Sequence, residues 1–100
     1  GLIDHFPGLC EQAERIAEKI GSRGPINVQA RVRNGTLLPF EINPRFSAST
    51  YLRALAGFNE IDIFIQFLLN KTLPERPQIR PGYYLRSLTE TVVPKTQVNV

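Results

Sequence analysis

The sequence has no methionine and no tryptophan, and it has only one cysteine and one histidine among 100 residues. Because no methionine starts the chain, we expect it to be a piece of a longer protein. A single cysteine, Cys10, excludes an internal disulfide, and its place among helical apolar positions predicts a buried thiol rather than a nucleophile. His5 has no partner at metal-ligand spacing, which predicts an exposed histidine. A reducing, cytoplasmic setting fits this composition.

Long apolar runs and a strong charge are also missing. No run is long enough to span a bilayer, and no signal peptide is visible. The formal net charge is +3, from twelve basic and nine acidic residues. This charge is too mild and too dispersed to indicate nucleic-acid binding by itself. Hydrophobic residues make up 42% of the chain, which is ordinary for a globular protein, and the length predicts one domain.

Apolar residues at helical spacing predict two helices in the first sixty residues. The first covers residues 7 to 20, with a proline in its first turn and Gly21 as its stop. The second is short, covers residues 49 to 56, and is capped by Ser47 or Ser49.

A third helix is predicted for the stretch EIDIFIQFLLN. Gly57 ends the helix before it, and Asn59 provides an N-cap. The stretch is apolar almost all round, so we expect the third helix to be buried on most of its sides. A chain of this size has little other material to cover it, which again suggests that more protein belongs here.

The alternation over residues 25 to 43 predicts a β-hairpin. Apolar residues occupy its even positions: Ile26, Val28, Ala30, Val32, Leu38, Phe40 and Ile42. Polar residues occupy its odd positions: Asn27, Gln29, Arg31, Arg33, Glu41 and Asn43. Leu37 and Pro39 are exceptions to the pattern.

The loop of this hairpin decides which side chains share a face. Asn34-Gly35 usually indicates a two-residue loop, but that loop would pair even positions with odd ones. We therefore expect a three-residue loop, Arg33-Asn34-Gly35, with Gly35 left-handed. Even positions then share the core face, and Gln29, Glu41 and Asn43 share the opposite face.

The polar face ends in the stretch PFEINPRFS, residues 39 to 47. Glu41 and Asn43 are two apart on a strand, so they point to one face, and Gln29 joins them from the neighbouring strand. Three converging oxygen-bearing side chains form a plausible site for a hard cation such as Mg²⁺, and Arg45 is placed to hold a phosphate. The pattern thus fits phosphoryl transfer. A solvated hairpin face followed by an ordinary Asn-Pro turn has the same sequence pattern.

The remaining residues predict a loop, a strand and a tail. Prolines mark the loop between residues 74 and 81, and YYLRSLTETVV, residues 83 to 93, predicts a strand ended by Pro94. Residues 94 to 100 are predicted to be a tail or a link to a following segment. The fold class is α+β, an antiparallel sheet with helices packed on one face, in a single partial domain over residues 1 to 100.

The stretch GPINVQARVRNGTLLPFEINPRFSAS, residues 24 to 49, resembles the ATP-grasp superfamily. It looks most like the ATP-grasp domains of the carbamoyl-phosphate synthase large chain, in which an N-x-Q strand is followed by an E-x-N-P-R strand. The likeness extends less specifically through the third helix and the closing strand. The resemblance implies the C-terminal half of an ATP-grasp fold.

The resemblance also implies ligands and cofactors. Gln29 and Glu41 would bind one metal ion, Glu41 and Asn43 would bind a second beside the β- and γ-phosphates, and Arg45 would steady the phosphoryl group or the acyl-phosphate. The implied cofactors are ATP and Mg²⁺ or Mn²⁺. Members of the family activate a carboxylate or bicarbonate by phosphoryl transfer, after which an amine or other nucleophile attacks.

Two departures from the family limit what is implied. The adenine-binding hinge and the phosphate-binding lysines of the family lie upstream of the matching region, so the 100-residue chain alone is expected to be inactive. Carbamoyl-phosphate synthases usually carry a second arginine three residues after the first, where this sequence has Ala48. The acceptor substrate, a carboxylate-type molecule, therefore stays open.

Two other functions compete with the ligase. A small basic module for RNA or another polyanion would need aromatic residues interleaved with lysine and arginine on an exposed face, whereas the phenylalanines fall mostly at core-type positions. A non-catalytic ATP-grasp fragment acting as a scaffold is the other, and the presence of all four expected site residues counts against it. We expect ATP and the rest of the parent protein as partners, with no nucleic acid and no membrane.

Overall fold

The computed structural model describes residues 1–97, which form small antiparallel sheets and three helices. In chain order the elements are β1 (Leu2–Ile3), α1 (Pro7–Lys19), β2 (Asn27–Arg33), β3 (Thr36–Asn43), α2 (Thr50–Leu55), α3 (Glu60–Asn70), β4 (Gly82–Tyr83) and a 3₁₀ turn (Lys95–Gln97). Strands β1 and β4 form one sheet, and β2 and β3 form another. The predicted α+β class is confirmed. The last three residues of the predicted tail lie outside the described residues.

Helix α1 ends as its sequence predicts. Gly21 adopts a φ of 69°, which glycine reaches without a steric penalty. Its N–H donates to Glu18 O at 3.0 Å, and Ser22 N donates to Ala17 O at 3.0 Å. These two bonds form a Schellman motif, which satisfies carbonyls that the helix itself leaves free. None of the helices within residues 1–97 is both long enough and apolar enough to cross a membrane.

One side chain of α1 fixes the helix to the hairpin. The Gln12 amide donates from Nε2 to Gly35 O at 2.9 Å, and its Oε1 accepts from Leu37 N at 2.8 Å. Leu37 lies in β3 and Gly35 just before it, and the amide bonds one backbone acceptor and one backbone donor there as a neighbouring strand would. Gln12 therefore both covers a strand edge and sets the position of the helix beside the turn.

The ends of α2 and α3 follow the predictions in part. Asn59 caps α3, because its Oδ1 accepts from Asp62 N at 3.2 Å. Ser49, one of the two predicted residues, is the N-cap residue of α2, but its side chain makes no cap hydrogen bond, and the hydroxyls of Ser47 and Ser49 bond each other at 3.0 Å. Gly57 follows α2 at a φ of 104° and stops the helix as predicted.

The predicted strand over residues 83 to 93 is wrong beyond its first residue. Gly82–Tyr83 pair with Leu2–Ile3 of β1, and Tyr84 also exchanges two backbone hydrogen bonds with Gly1. The chain from Leu85 to Pro94 has no regular structure. Its apolar side chains are exposed, with Leu88 at 88%. Aromatic and β-branched residues fit a sheet surface, but a strand forms only where a neighbouring strand is available. The described residues offer this segment only β1 and the adjacent Gly1.

The core is very small. Among residues 1–96 only Ala56 and Thr50 are buried, and the accessible surface is 8525 Å². A compact protein of this mass exposes about 5,700 Å². The radius of gyration is 17.2 Å, whereas about 13 Å is expected for 100 residues packed as one globule. The described chain thus exposes much apolar surface that a compact domain would bury.

Several burial predictions are wrong for this reason. The Cys10 thiol is exposed rather than buried. Phe6 and Phe40, predicted at core-type positions, are exposed, Phe40 by 64%. Helix α3 is not buried on most of its sides, because four of its apolar side chains are exposed: Ile61, Ile65, Leu68 and Leu69. The composition of α3 indicates a buried helix, and the described chain holds too little to bury it.

A substitution at Gly57 tests whether the end of α2 packs against the loop that follows α3. A Cβ at Gly57 would lie 2.8 Å from Gln78 O, and its φ is strained for any other residue. We expect Gly57→Ala to lower the free energy of unfolding by about 2 kcal/mol, with a lower melting temperature by circular dichroism.

The matched control is Gly8→Ala. Gly8 lies in the first turn of α1, and a Cβ there meets nothing within 4 Å. Alanine is the better helix former, so the melting temperature of this variant should stay equal or rise slightly. Equal melting of the two variants would contradict the close contact at Gly57.

Candidate functional site

The turn of the β2–β3 hairpin differs from its prediction. Arg33 pairs with Thr36, so the loop contains only Asn34 and Gly35. Both have positive φ angles, 51° and 74°, as the twist-matched type I′ turn requires. The predicted three-residue loop is therefore wrong. Regular pairing from a two-residue turn would place Gln29 opposite an even-numbered residue of β3 and not opposite an odd-numbered one such as Glu41.

A bulge in β3 restores the alignment. Ala30 pairs with Pro39 and Gln29 pairs with Glu41, so Phe40 is an extra residue with no partner. Beyond the bulge Gln29 and Glu41 lie directly opposite each other, and opposite residues share a face. The predicted shared face of Gln29, Glu41 and Asn43 is confirmed, although by a different loop.

The bulge also explains the two exceptions in the sequence pattern. Between the turn and the bulge, Val32 pairs with Leu37 and Ala30 pairs with Pro39. The odd positions of β3 are therefore apolar there, because they share the face of the even positions of β2. A change of apolar parity within one strand is the sequence signal that indicates such a bulge.

Four polar side chains form one hydrogen-bonded cluster on the opposite face, which we call the amide–carboxylate cluster. Glu41 Oε1 accepts from Asn43 Nδ2 at 2.8 Å and from Gln29 Nε2 at 3.4 Å. Gln29 Nε2 also lies 3.4 Å from Asn27 Oδ1. Asn27, paired with Asn43, is a member that the predicted site omits. Its place two residues before Gln29 on the same strand is the signal for it.

The donor set of the cluster fits a hard cation. The carboxylate oxygens of Glu41 and the amide oxygens of Gln29 and Asn43 are ligands of the kind that Mg²⁺ takes, with water and phosphate completing its coordination. In the described structure the amide N–H groups face the carboxylate. A half-turn of each amide exchanges its nitrogen and oxygen and directs the oxygen toward the same point. Their roles as ligands stay predictions.

The cluster has only one carboxylate. No group of three or more histidine, cysteine, aspartate or glutamate side chains placed to hold a metal occurs within residues 1–97. A cation at this face would therefore depend on neutral amide oxygens and on oxygens from its substrate. Such a donor set suits an ion that arrives with phosphates rather than a permanently bound structural ion.

Arg45 leaves the strand next to the cluster but does not contact it. Its backbone N–H donates to Asn43 O at 2.8 Å, which closes a tight turn around Pro44. Its side chain is exposed, and Nη1 donates to Phe46 O at 3.1 Å. Within the described chain the guanidinium makes no hydrogen bond to Gln29 or Glu41. Its predicted role toward phosphate is untested.

A second polar cluster follows the first along the chain and lies outside the predicted site. The Arg53 guanidinium contacts the carboxylate of Glu60 and the hydroxyls of Ser47, Ser49 and Thr50. The i, i+4 spacing of Ser49 and Arg53 on one helix face was a signal for part of it. The contact to Glu60 depends on how α2 and α3 pack, which the sequence pattern does not specify.

Comparisons with known proteins show what the chain is similar to. Carbamoyl phosphate synthase large chains are similar to the chain: one from Thermoanaerobacter sp. (strain X514) is 32% identical over 68 residues, 67% of this chain. Another, from Vibrio cholerae, is 30% identical over 90 residues, 86% of this chain. The chain spans only 6% and 8% of the length of these two relatives. No solved structure matches it.

A family model covers almost the whole chain. The model describes an ATP-grasp in the biosynthetic pathway with Ter operon, and it matches residues 2–91. The match includes the hairpin with the amide–carboxylate cluster, the loop with Arg45 and the helices α2 and α3. By this match, the chain belongs to the ATP-grasp family.

Proposed function

We propose that the chain supplies the metal- and phosphate-binding part of the site of an ATP-dependent ligase. The observation that carries the proposal is the alignment of Gln29, Glu41 and Asn43 on one face by the bulge. Membership of the ATP-grasp family supports ATP as the phosphoryl donor. The short coverage of the similar relatives supports a longer parent protein that contributes the rest of the site.

The proposed reaction has two steps. An oxygen of a carboxylate or bicarbonate bonds to the γ-phosphorus of ATP, the bond from that phosphorus to the β,γ-bridging oxygen breaks, and ADP leaves. A nucleophile then attacks the carbonyl carbon of the acyl-phosphate, and inorganic phosphate leaves. Positioning and charge stabilisation account for most catalysis in phosphoryl transfer, so the chain needs no nucleophile of its own.

Each site residue has a distinct part in this proposal. Gln29 and Glu41 would hold one divalent ion, and Glu41 and Asn43 would hold a second. The ions neutralise charge on the phosphate oxygens when they are bound. Arg45 places its planar guanidinium against the transferred phosphoryl group, where its fixed fork of donors suits two oxygens.

The acceptor is a carboxylate-type molecule, and bicarbonate is one candidate. The similar relatives are named carbamoyl phosphate synthase large chains. Such proteins usually carry a second arginine three residues after the first. This sequence has Ala48 at that position. A larger organic carboxylate is therefore as compatible with this chain as bicarbonate is.

Glu41→Gln in the full-length protein tests the proposal. Glu41 is the only carboxylate of the cluster, and the amide keeps its shape while it removes its charge. Metal placement and the alignment of the γ-phosphoryl group should both suffer. We expect ATP turnover to fall about a hundredfold, as for the loss of one major electrostatic contact in an active site. Turnover is measured as ADP release with Mg²⁺ present.

Folding should be nearly unchanged in this variant, because Glu41 is exposed and the apolar face of the hairpin is untouched. The matched control is Glu18→Gln, an exposed glutamate on α1 away from the cluster, which should retain wild-type turnover. Wild-type turnover in a folded Glu41→Gln variant would mean that Glu41 is an ordinary surface residue.

A binding experiment tests whether the chain holds only part of the site. Residues 1–100 alone should show no Mg-ATP binding at micromolar concentrations by titration calorimetry, because the nucleotide contacts of the other lobe are missing. The full-length protein should bind under the same conditions. Micromolar binding by the isolated chain would show that the nucleotide site is complete within it.

A further inference from the structure

Residues 44–49, which join β3 to α2, form the arginine loop, named for Arg45. The loop has no regular secondary structure. Its first residues are held by the turn from Asn43 O to Arg45 N. Loops of this kind move unless side chains fix them. What holds the far end of the loop decides how well Arg45 is placed.

Arg53 holds the far end of the arginine loop. Its Nη1 donates to Ser49 Oγ at 2.6 Å, and its Nη2 donates to Ser47 Oγ at 2.8 Å. Nη2 also contacts Glu60, the first residue of α3. One guanidinium thus joins the loop, α2 and α3. Its several donors in a rigid plane allow this, whereas a single ammonium group offers one point of contact.

Thr50 completes the attachment. It is buried, and its hydroxyl donates to Ser47 O at 2.8 Å and contacts Glu60 Oε1 at 2.8 Å. Glu60 in turn lies in the first turn of α3, where the helix dipole favours a carboxylate. Arg86 adds a contact from the C-terminal segment, donating to Ala48 O.

The Arg53–Glu60 pair differs from an ordinary surface ion pair. Its side chains are 28% and 20% exposed, whereas those of the other ion pair in the described chain, Arg76 and Glu14, are 76% and 52% exposed. Exposed pairs contribute little because water and salt screen them. The shielded pair is therefore the stronger attachment, and it lies beside the loop of the predicted phosphate ligand.

We propose that Arg53 is a positioning residue that fixes the arginine loop and so places Arg45 for phosphoryl transfer. The proposal rests on the proposed function only for the role of Arg45 toward phosphate. Arg45 lies between two fixed points, the turn at Asn43 and the hydroxyl of Ser47. Its backbone is held on both sides while its own side chain stays exposed.

The first experiment measures the loop without reference to ATP. Amide hydrogen exchange of the full-length protein is followed by mass spectrometry for wild type, Arg53→Gln and Arg53→Lys. Exchange over residues 45–50 should be about tenfold faster in both variants, while exchange over β2 and β3 stays unchanged. Arg53→Lys keeps a positive charge beside Glu60, which guards against unfolding of the whole domain.

The control for exchange is Arg76→Gln, which breaks the other ion pair and should leave residues 45–50 unchanged. Unchanged exchange of the loop in both Arg53 variants would overturn the proposal. Faster exchange across the entire chain would also overturn it, because Arg53 would then stabilise the fold in general rather than this loop.

The second experiment is a double-mutant cycle on ATP turnover. Arg53→Lys should lower kcat about tenfold or more with little change in KM for ATP, because the displaced Arg45 acts on the transferring phosphoryl group. In an Arg45→Ala background the same substitution should change kcat less than twofold, since the residue it positions is gone. Arg76→Gln should be neutral in both backgrounds.

The outcomes separate this inference from the proposed function. Equal effects of Arg53→Lys with and without Arg45 would overturn the positioning role while leaving the ligase proposal intact. Wild-type turnover in Arg45→Ala would contradict the assigned role of Arg45, and hence the proposed function at that residue. The exchange experiment would still decide whether Arg53 holds the loop.

Discussion

The pairing of Gln29 with Glu41 is the constraint on which the site depends. The two-residue turn at Asn34-Gly35 fixes the register at the tip of the hairpin, and that register is one residue out of phase with the site. The unpaired Phe40 corrects the phase. Because side chains alternate between faces with a period of two, this one residue decides whether the carboxylate meets the amides.

The local features of the fold were predictable, and its long-range features were not. The stop at Gly21, the cap at Asn59 and the shared polar face all follow from short-range rules. The three-residue loop prediction is wrong because the parity change at Leu37 marks a bulge, which is compatible with a two-residue turn. The strand predicted after Tyr83 does not form, because propensity describes only a surface that suits a sheet, and within residues 1–97 only β1 and Gly1 pair with the start of this segment.

The interactions that the sequence pattern does not predict are those that depend on packing between helices. Arg53 and Glu60 meet only because α2 and α3 are joined through Gly57 at an angle that no spacing rule gives. The burial predictions are wrong for the same kind of reason, since the apolar side of α3 requires neighbours that the described chain does not hold. The spacing of apolar residues shows that one face of a helix is apolar, but it does not identify the residues that cover that face.

The lone carboxylate of the hairpin has a consequence for the order of binding. Residues 27–43 carry one glutamate against two arginines, so this surface attracts a free divalent cation weakly. A polyphosphate reverses that balance, because it brings several negative charges of its own. An ion would then enter as a complex with the nucleotide, and occupancy would follow the cellular nucleotide concentration more closely than that of the free ion. In the proposed ligase the site would therefore be free of metal between turnovers.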